Sequence, residues 1–252
     1  MASSSAESSR RGAKRQRQNN RNHHDDSWVF DVHSDLVEEI FTHLPIRQCV
    51  QIGMVAKEFR GTWRKCRNLD FGRDFAATQP HRLAYSAAVD HAIESHHKEG
   101  KIKTLQLCFD PSDVEFLLEK WVRKSVKKGV EELDLDIFQA TVSFCVPTNA
   151  EEAKLKELKL YYSVIHMLFN LKALVSLTTL VLRQVDLTDL IIEVVFKNCV
   201  HLETFDMADC YGVRNMKVKA NNRFKVLMVG DTGFLLLCKV FDETTRGALT
   251  FG

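Results

Sequence analysis

Apolar positions recur along this chain at two different periods. Between residues 34 and 66 they fall at helical spacing, and beyond residue 100 they fall in short triplets at strand spacing. In SDLVEEIFTHL, Leu36, Ile40 and Leu44 form an i, i+4, i+8 stripe with Val37 and Phe41 beside it. Ser34 can cap this helix, and Asp35, Glu38 and Glu39 suit the positive end of its dipole. Pro45 stops it and can occupy the first turn of the next helix. The second helix, IRQCVQI, places Ile46, Cys49 and Val50 on one side, after which Gly53 permits a turn. A third helix is expected with Val55, Phe59 and Trp63 in line. So small a helical unit is weakly stable alone, so its apolar surface must pack on the rest of the chain or be kept for a partner.

The later pattern is apolar-x-x-apolar-x-apolar, and it occurs six times. The copies are Ile102-Leu105-Leu107, Val130-Leu133-Leu135, Leu155-Leu158-Leu160, Leu177-Leu180-Leu182, Leu202-Phe205-Met207 and Phe224-Leu227-Val229. Their middle residues are 28, 25, 22, 25 and 22 apart, which is the spacing of leucine-rich repeats. The segments between supply helices. Residues 112–129 combine a Ser112 and Glu115 capping box, an apolar stripe of Val114, Leu117, Leu118 and Trp121, and Gly129 as terminator. Thr188 can cap another helix that runs through Lys197 and buries Ile191, Val194 and Val195. Strand then helix, repeated, predicts an α/β solenoid with a parallel sheet on its concave side. Cys210 falls where such repeats often carry Asn or Cys, as a packing residue.

Strand alternation turns Leu105 and Leu107 inward and Thr104 and Gln106 outward. The equivalent outward row begins acidic at Glu132, Asp134 and Asp136, carries Lys159, Tyr161 and Arg183 in its middle with Asp206 beyond, and ends apolar at Val226 and Met228. Such a mixed surface suits a protein target, for which Glu132, Asp134, Lys159, Tyr161, Arg183 and Asp206 are the candidate contacts. Phosphates would be repelled by Glu132 through Asp136.

Residues 30–63 resemble the F-box, a small helical module with apolar positions around a Leu-Pro pair. Leu44 and Pro45 match that pair, and Leu36, Ile40, Val50, Val55 and Trp63 match the apolar positions. Val32 and His33 stand where the family usually has a first Leu-Pro, and Glu58 and Phe59 where it has a basic-aromatic pair. Residues 112–135, with Trp121 ahead of Val130, Leu133 and Leu135, resemble a stretch common in plant F-box proteins with leucine-rich repeats. These resemblances imply a three-helix F-box followed by a repeat solenoid. They also imply docking on a Skp-type adaptor, and through it on a cullin, with Leu36, Ile40, Leu44, Pro45, Ile46, Val50, Val55 and Trp63 as the candidate contacts. Apolar anchors at helical spacing are how helices fill a partner's groove.

Composition narrows the picture further. Residues 1–27 contain no Val, Ile, Leu, Phe, Trp or Tyr and carry six basic residues against three acidic ones, so they cannot bury enough apolar surface to order themselves. Without them the chain has 29 basic and 30 acidic residues, which argues against a nucleic-acid-binding domain. The run RRGAKRQR at residues 10–17 is open to three readings: a nuclear import signal, a phosphate-backbone contact, or a solvated tail. The seven dispersed cysteines include no CxxC pair, and point to a reduced protein of the nucleus or cytoplasm. Cys199, His201 and Cys210 are the nearest approach to a metal cluster, and packing is the stronger account of them. His96 and His97 are expected to face solvent. No apolar run reaches membrane-spanning length, and no phosphate-binding loop, HExxH or GxSxG is present.

The expected organisation is a disordered basic tail (1–27), an F-box-like domain (28–73), a connecting helical segment (74–99) and leucine-rich repeats (100–252). FLLLCKVF at residues 234–241 would form a last strand or half-cap, or else the array is shortened there. The expected role is a non-catalytic substrate adaptor of a Skp-cullin-F-box ubiquitin ligase that needs no cofactor and no membrane. The alternative is a repeat scaffold that binds its target without entering a ligase.

Overall fold

All six triplets become neighbouring strands of one parallel sheet. The computed structural model describes residues 34–97, 100–110, 115–137, 154–164, 174–220, 223–230, 237–242 and 248–251. The basic tail, Val32, His33 and Ser112 lie outside those residues. The strands are β1 (Asn68–Phe71), β2 (Thr104–Phe109), β3 (Glu132–Ile137), β4 (Glu157–Tyr161), β5 (Thr179–Arg183) and β6 (Thr204–Ala208), with β7 (Asn215–Ala220) in a different sheet and β8 (Val226–Val229) completing the first. The order across the seven-stranded sheet is β1-β2-β3-β4-β5-β6-β8. Leu105, Leu133, Leu158, Leu180, Phe205 and Leu227 stand in one row across it, and all but the half-buried Leu227 are almost completely inaccessible to solvent. Burying each such side chain stabilises the fold by about 1.5–3 kcal/mol.

The sheet starts one strand earlier than the triplets counted from residue 100. Leu69 pairs with Leu105 in the same register, and Cys66, Leu69 and Phe71 are all buried. They obey the same triplet spacing, with cysteine in the first apolar position. The carbonyl ahead of each strand ties the next one in. Arg67 O accepts the amides of Lys103 and Thr104 at 2.8 and 3.1 Å, Lys103 O accepts those of Glu131 and Glu132, and the pattern continues through Glu131, Lys156, Thr178 and Glu203. Tyr162, Gln184 and Asp209, each just past the end of β4, β5 or β6, take left-handed backbone with φ of 52–54°. They therefore turn the chain at the same point of successive repeats.

Helices cover one face. α1 (Ser34–His43) and α2 (Ile46–Val55) are followed by two short 3-10 turns, Lys57–Phe59 and Thr62–Lys65, then by α3 (Arg73–Thr78), α4 (Arg82–Ser95), α5 (Glu115–Lys127) and α6 (Asp189–Asn198). Pro45 stands at the N-cap of α2, one position ahead of its expected place. The expected third helix does not form as one unit. Gly61 adopts a φ of 84°, which ends the helical path between Phe59 and Trp63. Gly53 does not make a turn either. It lies within α2, where a Cβ would stand 3.0 Å from the Phe59 carbonyl oxygen, so its missing side chain admits the 3-10 segment.

An aromatic chain joins the layers: Phe71, Phe75, Tyr85, Phe109 and Trp121 stand 5.1, 5.6, 5.5 and 5.4 Å apart in succession. The Tyr85 hydroxyl donates to Phe71 O at 2.7 Å and accepts from the Cys108 amide at 3.0 Å, bridging the ends of β1 and β2. Trp121 Nε1 donates to Asp90 Oδ1 at 3.0 Å, tying α5 to α4. Thr188 caps α6 as expected, accepting the Ile191 amide on its side chain, and Gly129 ends the α5 segment at a φ of 78°. Val194, expected to be buried, is only half-buried, and Ile192 takes the inner place.

The C-terminal apolar run also yields a strand, but in a separate three-stranded sheet. β9 (Leu237–Asp242) lies between β7, which it pairs in parallel, and β10 (Ala248–Phe251), which it pairs antiparallel. Met216 and Val218 of β7 are buried. Among the described residues no helix is long and apolar enough to cross a membrane.

Candidate partner-binding surfaces

The helices leave a set of apolar side chains in solvent. Leu36 and Ile40, one turn apart on α1, are 57% and 54% exposed, while Phe41 beside them turns into the core. On α2, Val50, Met54 and Val55 are exposed, with Val55 at 89%. Ile46 is buried, and Leu44 and Trp63 are half-buried against the core. Of the eight helical candidates, therefore, Leu36, Ile40, Val50 and Val55 are available on the surface. Ile46 is held in the fold because the start of α2 sits against β1, with Pro45 bridged to Asn68. Met54, one turn after Val50 and beyond Gly53, joins the exposed set because α2 continues through that glycine.

Two clefts adjoin α2. One, of about 370 Å³, is apolar and lies among Ile46, Val50, Trp63, Phe71, Phe75 and Ala92. The other, of about 540 Å³, is lined by Val50, Gly53, Met54, Arg60, Trp63 and Arg64.

The open face of the sheet carries the polar candidates in three rows. The middle row runs Asp70, Gln106, Asp134, Lys159, Val181, Asp206 and Met228, with neighbouring strands about 4.8 Å apart. The row nearer the strand starts holds Glu132 and Glu157, and the row nearer their ends holds Cys108, Asp136, Tyr161 and Arg183. Glu132, Asp134, Lys159, Tyr161 and Arg183 are half-buried, as partners on a sheet surface commonly are.

Two expected solvent-facing acids are buried. Asp136 is 6% exposed because Arg73 of α3 lies over it, with Arg73 Nε 2.6 Å from Asp136 Oδ2. Asp206 is 9% exposed and accepts from Arg183 Nη2. These carboxylates raise the pKa of both guanidiniums. Lys159 Nζ lies 2.5 Å from Glu157, which holds its pKa up. Asp134 is pushed above the usual aspartate range, first by desolvation and then by its acidic neighbours Asp136, Glu157 and Asp70, against the opposing pull of Lys159. Desolvation likewise raises the Tyr161 phenol.

Cys199, Cys210 and His96 serve packing. Burial pushes Cys199 up to about 12 and Cys210 up to about 11. His201 faces Arg223 at 2.9 Å, and among the described residues no group of His, Cys, Asp and Glu could hold a metal ion. His96, expected in solvent, is buried with Nε2 2.9 Å from Cys66 O, and that burial lowers its pKa. It joins the end of α4 to the start of β1.

Comparison with known proteins fits this architecture. Residues 93–238 match the family model described as At1g61320/AtMIF1, LRR domain, which covers more than half of the chain. The chain belongs to the F-box/leucine-rich-repeat family. A relative from Arabidopsis thaliana named "Putative FBD-associated F-box protein At1g61330" is 30% identical over 201 residues, which is 77% of this chain and 44% of that protein. Another, "FBD-associated F-box protein At1g61320", is 25% identical over 203 residues, 79% of this chain and 44% of that one. The chain thus spans less than half the length of these F-box relatives. No solved structure matches it significantly.

Proposed function

We propose that this F-box/leucine-rich-repeat chain is a non-catalytic substrate-recognition subunit of a Skp-cullin-F-box ubiquitin ligase. The observation that carries the reading is the exposed apolar set Leu36, Ile40, Val50, Met54 and Val55 on helices anchored to the first strand of an open-faced repeat sheet. Leaving such side chains in water is unfavourable unless a partner covers them. A Skp-type adaptor is that partner, and a cullin follows through it. The open face then holds a target protein through Glu132, Asp134, Lys159, Tyr161, Arg183 and Asp206, of which the last two act as one ion pair.

The mechanism is proximity. Holding a target beside a charged ubiquitin-transfer enzyme raises their effective concentration, and the chemistry belongs to other subunits. The basic run at residues 10–17 supports action in the nucleus as well as the cytoplasm. Co-purification of the full chain with a Skp-type adaptor and a cullin tests the assignment, and a folded chain that recovers neither contradicts it.

One observation favours a second reading. The segment expected as a third F-box helix consists of two 3-10 turns separated by the left-handed Gly61. A chain that binds its target but never recovers an adaptor would be a repeat scaffold outside any ligase.

A further inference from the structure

The β1 end of the open face contains a cleft of about 500 Å³ with an unusual charge pattern. Its lining includes Asp70, Asp74, Asp134 and Asp136, with Arg73 as its single cation. Acidic residues alone often do no more than face water. Asp136 differs, because its side chain is more than nine-tenths buried and one of its carboxylate oxygens is unused. Oδ2 receives Arg73 Nε at 2.6 Å and the Cys108 thiol at 3.5 Å, whereas Oδ1 has no hydrogen-bond partner. Buried carboxylate oxygens are nearly always paired.

The neighbours of Asp136 fit the same kind of ligand. Asp134 is half-buried, stands opposite Lys159 on the neighbouring strand, which attracts its charge, and accepts no hydrogen bond among the described residues. Its raised pKa means that the fold holds this charge at a cost. The Cys108 thiol is pushed up to about 11 by burial and by Asp136, so it stays protonated and adds no charge. Gln106 and Tyr161 supply an amide and an aromatic wall, and aromatic faces attract cations. Arg73 shows which chemistry the Asp136 carboxylate accepts. Its side chain is 65% exposed, so a competing cation can displace it from Asp136 toward solvent.

We propose that this cleft receives an arginine or lysine side chain of the target protein, with Asp134 and Asp136 as acceptors and Tyr161 as the flanking wall. The incoming cation takes Arg73's place on Asp136 and pairs with Asp134, and Arg73 shifts toward solvent. This inference rests on the open face being the target-binding surface, and it names the chemical class recognised there.

The test uses the full chain and pools of immobilised short peptides, each fixed at one position as arginine, lysine, citrulline or glutamate. At physiological salt, the arginine and lysine pools should retain the chain about ten-fold better than the citrulline pool, a gap the size of one good charged contact. Asp134→Asn should erase that preference, whereas Glu119→Gln, an exposed acid on α5 and not on the open face, should leave it intact. Asp134→Asn removes no ion pair, so circular dichroism should show it folded, and Asp136→Asn serves as the second variant. Equal retention of arginine and citrulline pools, or an unchanged preference in a folded Asp134→Asn chain, overturns the proposal. The same preparations are assayed for Skp-type adaptor binding. Adaptor binding without basic preference sinks this inference alone, and basic preference without adaptor binding sinks the ligase assignment alone.

Discussion

Leu69 pairs in register with Leu105, so the strand that follows the F-box-like helices is the first strand of the repeat sheet. Both side chains are fully buried in one continuous core. The helices that would hold an adaptor and the sheet that would hold a target therefore share structure and are not joined by a loose linker. For an adaptor that works by proximity, this sharing fixes the geometry between the two partners.

Leu69→Ala should destabilise the whole described fold by about 2–5 kcal/mol, since it opens a cavity where the two parts meet. Urea titration followed by both tryptophan fluorescence and circular dichroism checks this. The expected result is coincident, single transitions shifted to lower denaturant. A helical signal lost before the sheet signal would mean that β1 does not couple the parts.

The glycines with positive φ should differ in their response to alanine. At Gly212, φ is 81° and a Cβ would lie 2.4 Å from the Leu187 carbonyl oxygen, so Gly212→Ala combines steric overlap with strain and should cost about 2–4 kcal/mol. At Gly129, φ is 78° and nothing lies within 4 Å of a Cβ, so only the left-handed strain applies, about 1 kcal/mol. Melting curves of the two variants should therefore rank Gly212→Ala well below Gly129→Ala.

Asp134 sets a pH dependence whose sign follows from its raised pKa. The folded chain holds a proton on this carboxyl to higher pH than the unfolded chain does. Stability is therefore lost as pH rises from the ordinary aspartate value through the folded one. Asp134→Asn removes that loss. Relative to wild type, its melting temperature should be higher near pH 7 than near pH 4, and a variant that grows relatively less stable on that rise would contradict the desolvation account.

The repeat array was legible because the triplets impose a strict register, and Leu105 through Leu227 stand where their spacing puts them. β1 escaped because Cys66 holds the first apolar place and 36 residues separate Leu69 from Leu105, a gap filled by α3 and α4. The second sheet left a weaker trace, the alternation of Met216 and Val218 with lysines. The place of Gly53 inside α2 was hidden for a related reason. A glycine admits a close neighbour within a helix or a left-handed turn outside one, and only the packing around it decides between them. The pairing of Arg73 with Asp136, 63 residues apart, had no local signal at all. That pairing is what buries a residue whose alternation put it on the open face.

The exposed helical set bears on the central claim most directly. Ile40 and Met54 are 54% and 76% exposed, so changing both to aspartate should leave folding almost untouched while placing charge where an apolar groove must close. A binding assay between purified full chain and a Skp-type adaptor, with circular dichroism on each sample, is the deciding measurement. The account predicts binding by wild type and its loss in the folded Ile40→Asp, Met54→Asp variant. A folded wild-type chain that fails to bind, or a double variant that binds equally well, would contradict it.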